Sequence, residues 1–277
     1  MREPTLAIVV VSYNVRAELE RCLRSVVGRT APFPAEVVVV DNGSTDGTLE
    51  LLRRDWPTVT AIAAGVNAGF ARGCNLGIRA TASDLVLLLN PDTEVPDGQL
   101  HVLVRALLAH PEAAAVGPRL VDGDDRPELS FGPMVSPWGE FTQRRLMRAY
   151  EADQAWAVAR VARATRQPGP RDWVSGACLL ARRADLDAVG LLDERFFMYT
   201  EDVDLCAAFR ARGRAVRFVP EATVRHLRGR SVASAPAATE RRRRESQLAF
   251  YRKHHPAWAP LLAWWLRRRG VDLGHDC

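Results

Sequence analysis

Four short apolar runs, at residues 6–11, 36–40, 59–63 and 85–89, stop at polar turns and are separated by stretches with helical spacing. Between the first two, Leu19, Cys22, Leu23 and Val26 recur at the interval that puts them on one helix face. Runs this continuous suit strands buried on both sides, so the alternation predicts an α/β fold: a mostly parallel sheet with helices on both faces. A fifth strand is expected at residues 114–117. In open sheets of this kind ligands bind beyond the carboxyl ends of the strands, so the polar residues after each run are where chemistry is expected.

With 277 residues and 47% hydrophobic content, the chain can bury a substantial core, which argues against wholesale disorder. The formal net charge of +5 comes almost entirely from arginine, with Lys253 the only lysine. Acidic residues are interspersed until the tail, where Arg241 to Arg244 and Arg267 to Arg269 cluster. Nucleic acid is therefore not an expected partner, and an electrostatic docking surface for anionic lipid or phosphate is expected only at the C-terminal end. Cys22, Cys74, Cys178, Cys206 and Cys277 lack the paired spacing of zinc knuckles, redox pairs or disulfide frameworks, which points to a reducing cytosol. Residues 6–11 are too short for a signal-peptide core, and no stretch reaches the roughly 18 apolar residues needed to span a bilayer, so a soluble or peripheral protein is expected.

Residues 121–171 lose this order to Gly, Pro, Asp and Arg, apart from a helical stretch near 143–163, and are expected to face substrate. From Trp173 onward the pattern reads as a strand, a helix, an apolar turn and a helix beginning near Glu201. A strand pair at 216–219 and 223–227 follows, then small residues and Pro at 231–239 that read as a linker to a helical tail.

Three carboxylate-bearing turns stand out. VVVVDNGSTDGT places Asp41 at a strand end, where a carboxylate can hydrogen-bond a nucleobase or ribose; the alternative is a turn built by Asp41 and Asn42 with Ser44 or Thr45 as helix cap. LVLLLNPD delivers Asn90 and Asp92 to the same edge, and one carboxylate can suffice for magnesium or manganese when substrate phosphates complete the shell, although Pro-Asp also builds plain turns. TEDVDLC crowds Glu201, Asp202 and Asp204 into a first helical turn, behind Phe196, Phe197 and Tyr199. Acids are electrostatically favourable at a helix start, yet an Asp in a partly apolar pocket can also act as a general base. His226, in VRHLRG, ends a strand and could be structural, complete a metal site or meet a phosphate.

In order along the chain, VVVVSYN, VVVVDNGSTDGT, NAGFARGCNLGI, LLLNPDTEV, WVSGACLLARR and FFMYTEDVDLCAAFRARG resemble glycosyltransferase family 2, with its GT-A fold, and especially its bacterial rhamnosyltransferase-like branch. The resemblance covers roughly residues 6–231. It implies a GT-A domain over 1–230, with a nucleotide-sugar half at 1–118 and an acceptor and catalytic half at 119–230, followed by a linker and helical tail at 231–277. It also implies that Asp41 contacts the base, with Ser12, Tyr13, Asn14, Asn67 and Asn90 around the nucleotide. Asp92 and His226 would hold Mg2+ or Mn2+; Asn90 stands where many relatives carry the first acid of an Asp-x-Asp motif. Asp202 would be the catalytic base with Glu201 as its catalytic neighbour.

The expected reaction is displacement with inversion at the anomeric carbon of a nucleotide diphosphate sugar; the resemblance implies dTDP-rhamnose as donor and a glycan or polyprenyl-linked sugar as acceptor, in cell-wall or polysaccharide assembly. Galactofuranose, N-acetylglucosamine, mannose and glucose are the alternative sugars. A dinucleotide-dependent oxidoreductase is disfavoured because SYNVRAEL, after the first strand, has no glycine. A sugar-phosphate nucleotidyltransferase would also be expected to open with a glycine-rich loop. A non-catalytic membrane-associated module is disfavoured by the intact acids. The tail segment PAWAPLLAWWL, followed by RRR, has the Trp and Arg content of an interfacial element, giving a cytoplasmic protein with peripheral contact to the inner membrane face, or else a plain packing helix.

Overall fold

The structure is a computed structural model describing residues 3–227, 236–269 and 271. Strands β1 (Leu6–Ser12), β2 (Ala35–Asp41), β3 (Thr60–Ala63) and β4 (Leu85–Leu89) pair in parallel in the order β3-β2-β1-β4. Between them run α1 (Arg16–Val26), α2 (Thr48–Asp55) and α3 (Phe70–Arg79). Every residue of β1 and β4 is buried, as their unbroken apolar sequences require. Leu6, Ile8 and Val10 join one core layer with Leu19, Leu23 and Val26 of α1, while Ala7, Val9 and Val11 join the opposite layer with Cys74 and Ile78 of α3. A Cβ on Gly73 would lie 2.7 Å from Val11 Cγ1, so glycines in GFARGCNLG let α3 press against β1.

The sheet then departs from simple alternation. Beyond β4, the short β5 (Thr93–Glu94), α4 (Gln99–Ala109) and β6 (Ala113–Val121) follow. Two later strands complete the sheet: β10 (Cys178–Arg182) runs antiparallel between β4 and β6, and β11 (Ala215–His226) lies parallel to β6 and antiparallel to β5. The nine-stranded sheet thus draws strands from both sides of position 118.

Several local expectations are corrected. The run from Trp173 is not one strand: β9 (Trp173–Val174) pairs with β7 (Phe131–Gly132) in a separate ribbon, and a turn precedes β10. The strand pair at 216–227 is instead the single strand β11, whose register shifts between Val219 and Thr223, where Pro220 falls. The helical stretch near 143–163 is two helices, α5 (Pro137–Glu151) and α6 (Ala155–Ala164), and β8 (Gly169–Arg171) pairs with β11.

After α7 (Arg183–Val189) and α8 (Glu201–Ala211), the tail forms α9 (Pro236–His254) and α10 (Ala259–Arg268). Helix α9 takes the last four residues of the expected linker; residues 228–235, with the rest of that linker, lie outside the described residues, as does Cys277. Phe250, Tyr251, Ala259 and Leu266 of the tail pack with Phe196 and Val203 in a third core cluster. Cys22, Cys74, Cys178 and Cys206 are free and buried. Among the described residues, no helix is long and apolar enough to cross a membrane.

Candidate active site

Parallel pairing sets Ser12 beside Asp41 at the carboxyl ends of β1 and β2. Strands lie about 4.8 Å apart, so the ends of β2, β1 and β4 fall within roughly 10 Å of one another. Ser12 and Asp41 are buried, and among the described residues the Ser12 hydroxyl and one Asp41 oxygen have no hydrogen-bond partner. Buried acceptors without partners are costly, and a ligand donor such as a base imide or a sugar hydroxyl would relieve that cost. The other Asp41 oxygen accepts from the Ser44 amide at 3.1 Å.

The loops after β1 and β2 are tied together. Asn14, at φ 53°, accepts from the Thr45 amide at 2.8 Å, and its own amide donates to Ser44 Oγ at 3.0 Å. Tyr13 is exposed between them. The Asn42 side chain donates to the Gly69 carbonyl at 3.0 Å, while Asn67 Oδ1 accepts from the Gly69 amide at 3.2 Å. Asn42 therefore does more than form a turn: it links the Asn67 loop to the end of β2.

The turn after β4 is held through its backbone, which leaves side chains for other work. The Asn90 amide donates to the Ala177 carbonyl at 2.9 Å, and its carbonyl accepts from the Thr93 hydroxyl at 2.6 Å. The Asp92 carbonyl accepts from the Leu227 amide, pinning the end of β11 beside this turn. His226 Nε2 consequently lies 3.4 Å from Asp92 Oδ1, and its Nδ1 lies 3.2 Å from Glu128 Oε2. Burial alone would lower the His226 pKa, but the Asp92 and Glu128 carboxylates outweigh it and raise it from 6.5 to about 9.

Asp92 presents a hard oxygen and His226 an imidazole nitrogen that becomes a ligand on giving up its proton, a pair suited to a divalent cation. Neighbouring ligands of one ion with bonds of about 2.1 Å lie roughly 3 Å apart, close to the observed spacing. Among the described residues, no group of three or more His, Cys, Asp or Glu is arranged to hold a metal. The pair therefore fits an ion completed by water and substrate phosphate, not a protein-only cage.

At the start of α8, Tyr199 and Thr200 adopt φ of 72° and 66°, uncommon for side-chain-bearing residues. Thr200 occupies the cap position but its side chain makes no capping bond. Asp202 is held by two backbone amides, Gly176 at 2.8 Å to Oδ2 and Val203 at 2.8 Å to Oδ1. Burial raises its pKa, and the backbone hydrogen bonds only partly oppose this. Glu201 is buried, with its pKa pushed well up by burial and then by the Asp202 charge.

These pieces converge through specific bonds. Asn90 holds Ala177, whose neighbour Gly176 holds Asp202. The Phe70 amide donates to the Phe197 carbonyl at 2.7 Å, and so joins the Asn67 loop to the segment preceding Glu201. Sequence reasoning missed Glu128, Gly176 and the tail residues Lys253 and His254. Gly176 has a physical signature: a Cβ there would lie 3.2 Å from the Asp202 Cβ.

Comparison with known proteins agrees with this architecture. The family model for glycosyl transferase family 2 matches residues 7–168. An N-acetylglucosaminyl-diphospho-decaprenol L-rhamnosyltransferase of Mycobacterium tuberculosis is 33% identical over 95% of this chain and 89% of its own length. A low-salt glycan biosynthesis hexosyltransferase, Agl10 of Haloferax volcanii, is 27% identical over 75% of this chain and 61% of its own length. Among solved structures, the mannosyltransferase PcManGT of Pyrobaculum calidifontis, in complex with GDP-Man and Mn2+, superposes with a TM-score of 0.60 at 20% identity over 95% of this chain and 69% of that one. GalNAc-T7 with UDP, GalNAc and Mn2+ gives 0.61 at 17% identity over 82% and 44%. The fold is thus of the GT-A glycosyltransferase type. The chain belongs to glycosyltransferase family 2, and within it is similar to the rhamnosyltransferases.

Proposed function

We propose that this glycosyltransferase moves L-rhamnose from dTDP-rhamnose to a hydroxyl of a polyprenyl-diphosphate-linked sugar at the cytoplasmic membrane face, with inversion and with Mg2+ or Mn2+. The observation that carries the reading is the linkage of Asp202, through Gly176 and Ala177, to the turn bearing Asn90 and Asp92, with His226 beside Asp92. The rhamnose and the lipid-linked acceptor rest on the mycobacterial relative, whose name states both.

In this reading Asp41, Ser12, Tyr13, Asn14, Asn67 and Asn90 seat the nucleotide in the 1–118 half, while the acceptor approaches Asp202 from the 119–230 half. Asp202 takes the proton of the acceptor hydroxyl as its oxygen bonds to the anomeric carbon; the carbon–oxygen bond to the diphosphate breaks, and the electron pair leaves with the nucleoside diphosphate. One base opposite the leaving group suffices for inversion. Burial suits Asp202 to this work by raising its proton affinity, and the paired amides fix its direction. Asp92 and His226 would hold the cation, which supplies neutralisation of the leaving diphosphate. Glu201, buried beside the base, is kept protonated by its burial and by the Asp202 charge, so it adds no second negative charge there.

The test is incubation with a panel of nucleotide sugars and N-acetylglucosaminyl-diphospho-polyprenol, with Mg2+, Mn2+ or chelator, followed by mass spectrometry and NMR of the product anomer. Transfer from dTDP-rhamnose, lost on chelation and inverted at the anomeric carbon, is expected. Turnover only of another sugar would overturn the donor assignment, undiminished activity in chelator the metal, and a retained anomer the single displacement.

A further inference from the structure

Water-exposed large apolar side chains are few among the described residues, and five of them, Trp138, Phe141, Trp258, Leu261 and Trp264, fall on α5 and on or just before α10. The two regions are joined. Glu140, beside Phe141, accepts from Gln247 at 2.6 Å and from the Tyr251 hydroxyl at 2.7 Å, and the His255 ring lies 2.7 Å from the Val135 carbonyl, three residues before Trp138.

Helix α10 is two-faced. Ala259 and Leu266 are buried against the molecule, while Leu261 and Trp264 project outward. Its sequence, APLLAWWLRR, contains no acidic residue, and Arg269 follows it. The Arg268 guanidinium sits over the Trp264 ring, 4.4 Å from its centre, and that of Arg269 sits 4.1 Å over Trp265, so each positive charge is held against an indole face. Ten residues of helix span about 15 Å, half a bilayer core, so this element can lie in an interface but not cross it.

We infer that Trp258, Leu261 and Trp264, collared by Arg267, Arg268 and Arg269, dock the enzyme on a bilayer bearing anionic headgroups, with Trp138 and Phe141 as an auxiliary contact. Apolar side chains match the headgroup–acyl boundary, and three successive arginines match anionic phosphate. The docking face is mechanically continuous with the catalytic segment. On α9, Ser246 donates to the Met198 carbonyl at 2.8 Å, Arg242 stacks on Phe197 at 4.4 Å and Phe250 packs in the cluster of Phe196 and Val203. A lipid-borne acceptor would therefore meet Asp202 in a fixed orientation. This deepens the functional reading and rests on it for the acceptor, but docking needs neither donor nor acceptor.

The experiment is flotation of the full chain with vesicles of phosphatidylcholine alone or of phosphatidylcholine and phosphatidylglycerol at about 7:3, at low and physiological salt. Binding to the anionic vesicles is expected, falling at least about tenfold in Trp258→Ser/Leu261→Ser/Trp264→Ser and by an intermediate amount in Arg267→Gln/Arg268→Gln/Arg269→Gln. The apolar triple variant should keep its melting temperature and its activity on a water-soluble acceptor analogue, while losing activity on vesicle-borne acceptor. Wild-type protein that ignores anionic vesicles, or a triple variant that floats equally well, overturns the proposal. So does light scattering that shows the triple substitution converting a dimer to a monomer, since the face would then bind a second copy.

Discussion

Lys253 Nζ donates to Asp204 Oδ2 at 2.8 Å, tying the tail helix α9 to helix α8 two residues from Asp202. The same ammonium reaches Asp193 Oδ2 at 2.8 Å, and His254 Nε2 lies 2.7 Å from the other Asp204 oxygen. Burial lowers the Lys253 pKa, but the bonds to Asp193 and Asp204 outweigh it and raise it; Arg195, followed by Lys253, holds Asp193 well below the usual carboxylate range.

This clamp predicts that Lys253→Met lowers kcat about tenfold with donor KM changed less than twofold, because α8 loses its orientation while the nucleotide pocket stays intact. Loss of a charged hydrogen bond of about 2 kcal/mol should also lower Tm by roughly 4–8 °C. Lys253→Arg should recover most of kcat. Steady-state kinetics beside calorimetry check this, and an unchanged kcat in the Met variant would refute it.

Asp202→Asn should abolish transfer while donor affinity, measured by titration calorimetry, stays within about threefold, since the substitution removes the base and one backbone bond at Asp202 but leaves the Asp41 and Asp92 turns in place. Because burial raises the Asp202 pKa, the acid limb of kcat/KM should fall above the ordinary aspartate value of 3.8. A limb at or below that value, or full turnover by the Asn variant, would remove Asp202 as base.

Glu201 gives a stability prediction of definite sign. Its folded-state pKa is raised well above 4.5, so the native state keeps a proton that the unfolded chain gives up. Its contribution is therefore most favourable below the unfolded pKa and erodes as pH rises towards the folded value, by up to about 1.4 kcal/mol per pH unit. Glu201→Gln should be more stable than wild type at pH 8, with the gain shrinking towards pH 4.5. Denaturant melts across that range test it; a gain that grows as pH falls would contradict the burial of a protonated acid.

Glu128 should act through His226. A carboxylate on the far ring nitrogen fixes the imidazole so that Nε2 faces Asp92, and removal of such a partner typically costs 10–100-fold in metal affinity. Glu128→Ala should weaken Mn2+ binding in the presence of dTDP by about that factor, while Asp92→Ala should weaken it further and reduce metal-dependent nucleotide binding with it. Equal Mn2+ affinity in the Glu128 variant would show that the ring is positioned otherwise.

The parts of the fold legible in the sequence are those fixed by continuous apolar runs. Strands β1 and β4 and the last five residues of β2 are buried, and the apolar runs stop where polar residues begin, so Asp41 and Asp92 could be placed at one edge. Less legible were features set by partners far along the chain. Glu128 meets His226 across 98 positions from an irregular loop, with no periodicity to mark it. Pro220 made β11 read as two strands, because a missing amide looks like an end until the register shift is seen. Lys253 did carry a signal, as the sole lysine in an arginine-rich chain, but its meaning lies in the geometry of Asp193 and Asp204.

The insertion of β10 between β4 and β6 has a consequence for biosynthesis. Among the described residues β6 pairs within the sheet with β10 and β11 alone, both made later, so the nascent chain carries an apolar strand whose neighbours do not yet exist. One edge of that strand stays open until β10 has left the ribosome, near residue 182, and the other until β11, near residue 226, and both are exposed to misassociation meanwhile. The first 118 residues are thus no transplantable nucleotide cassette, and fusions or truncations ending there should collect in aggregates.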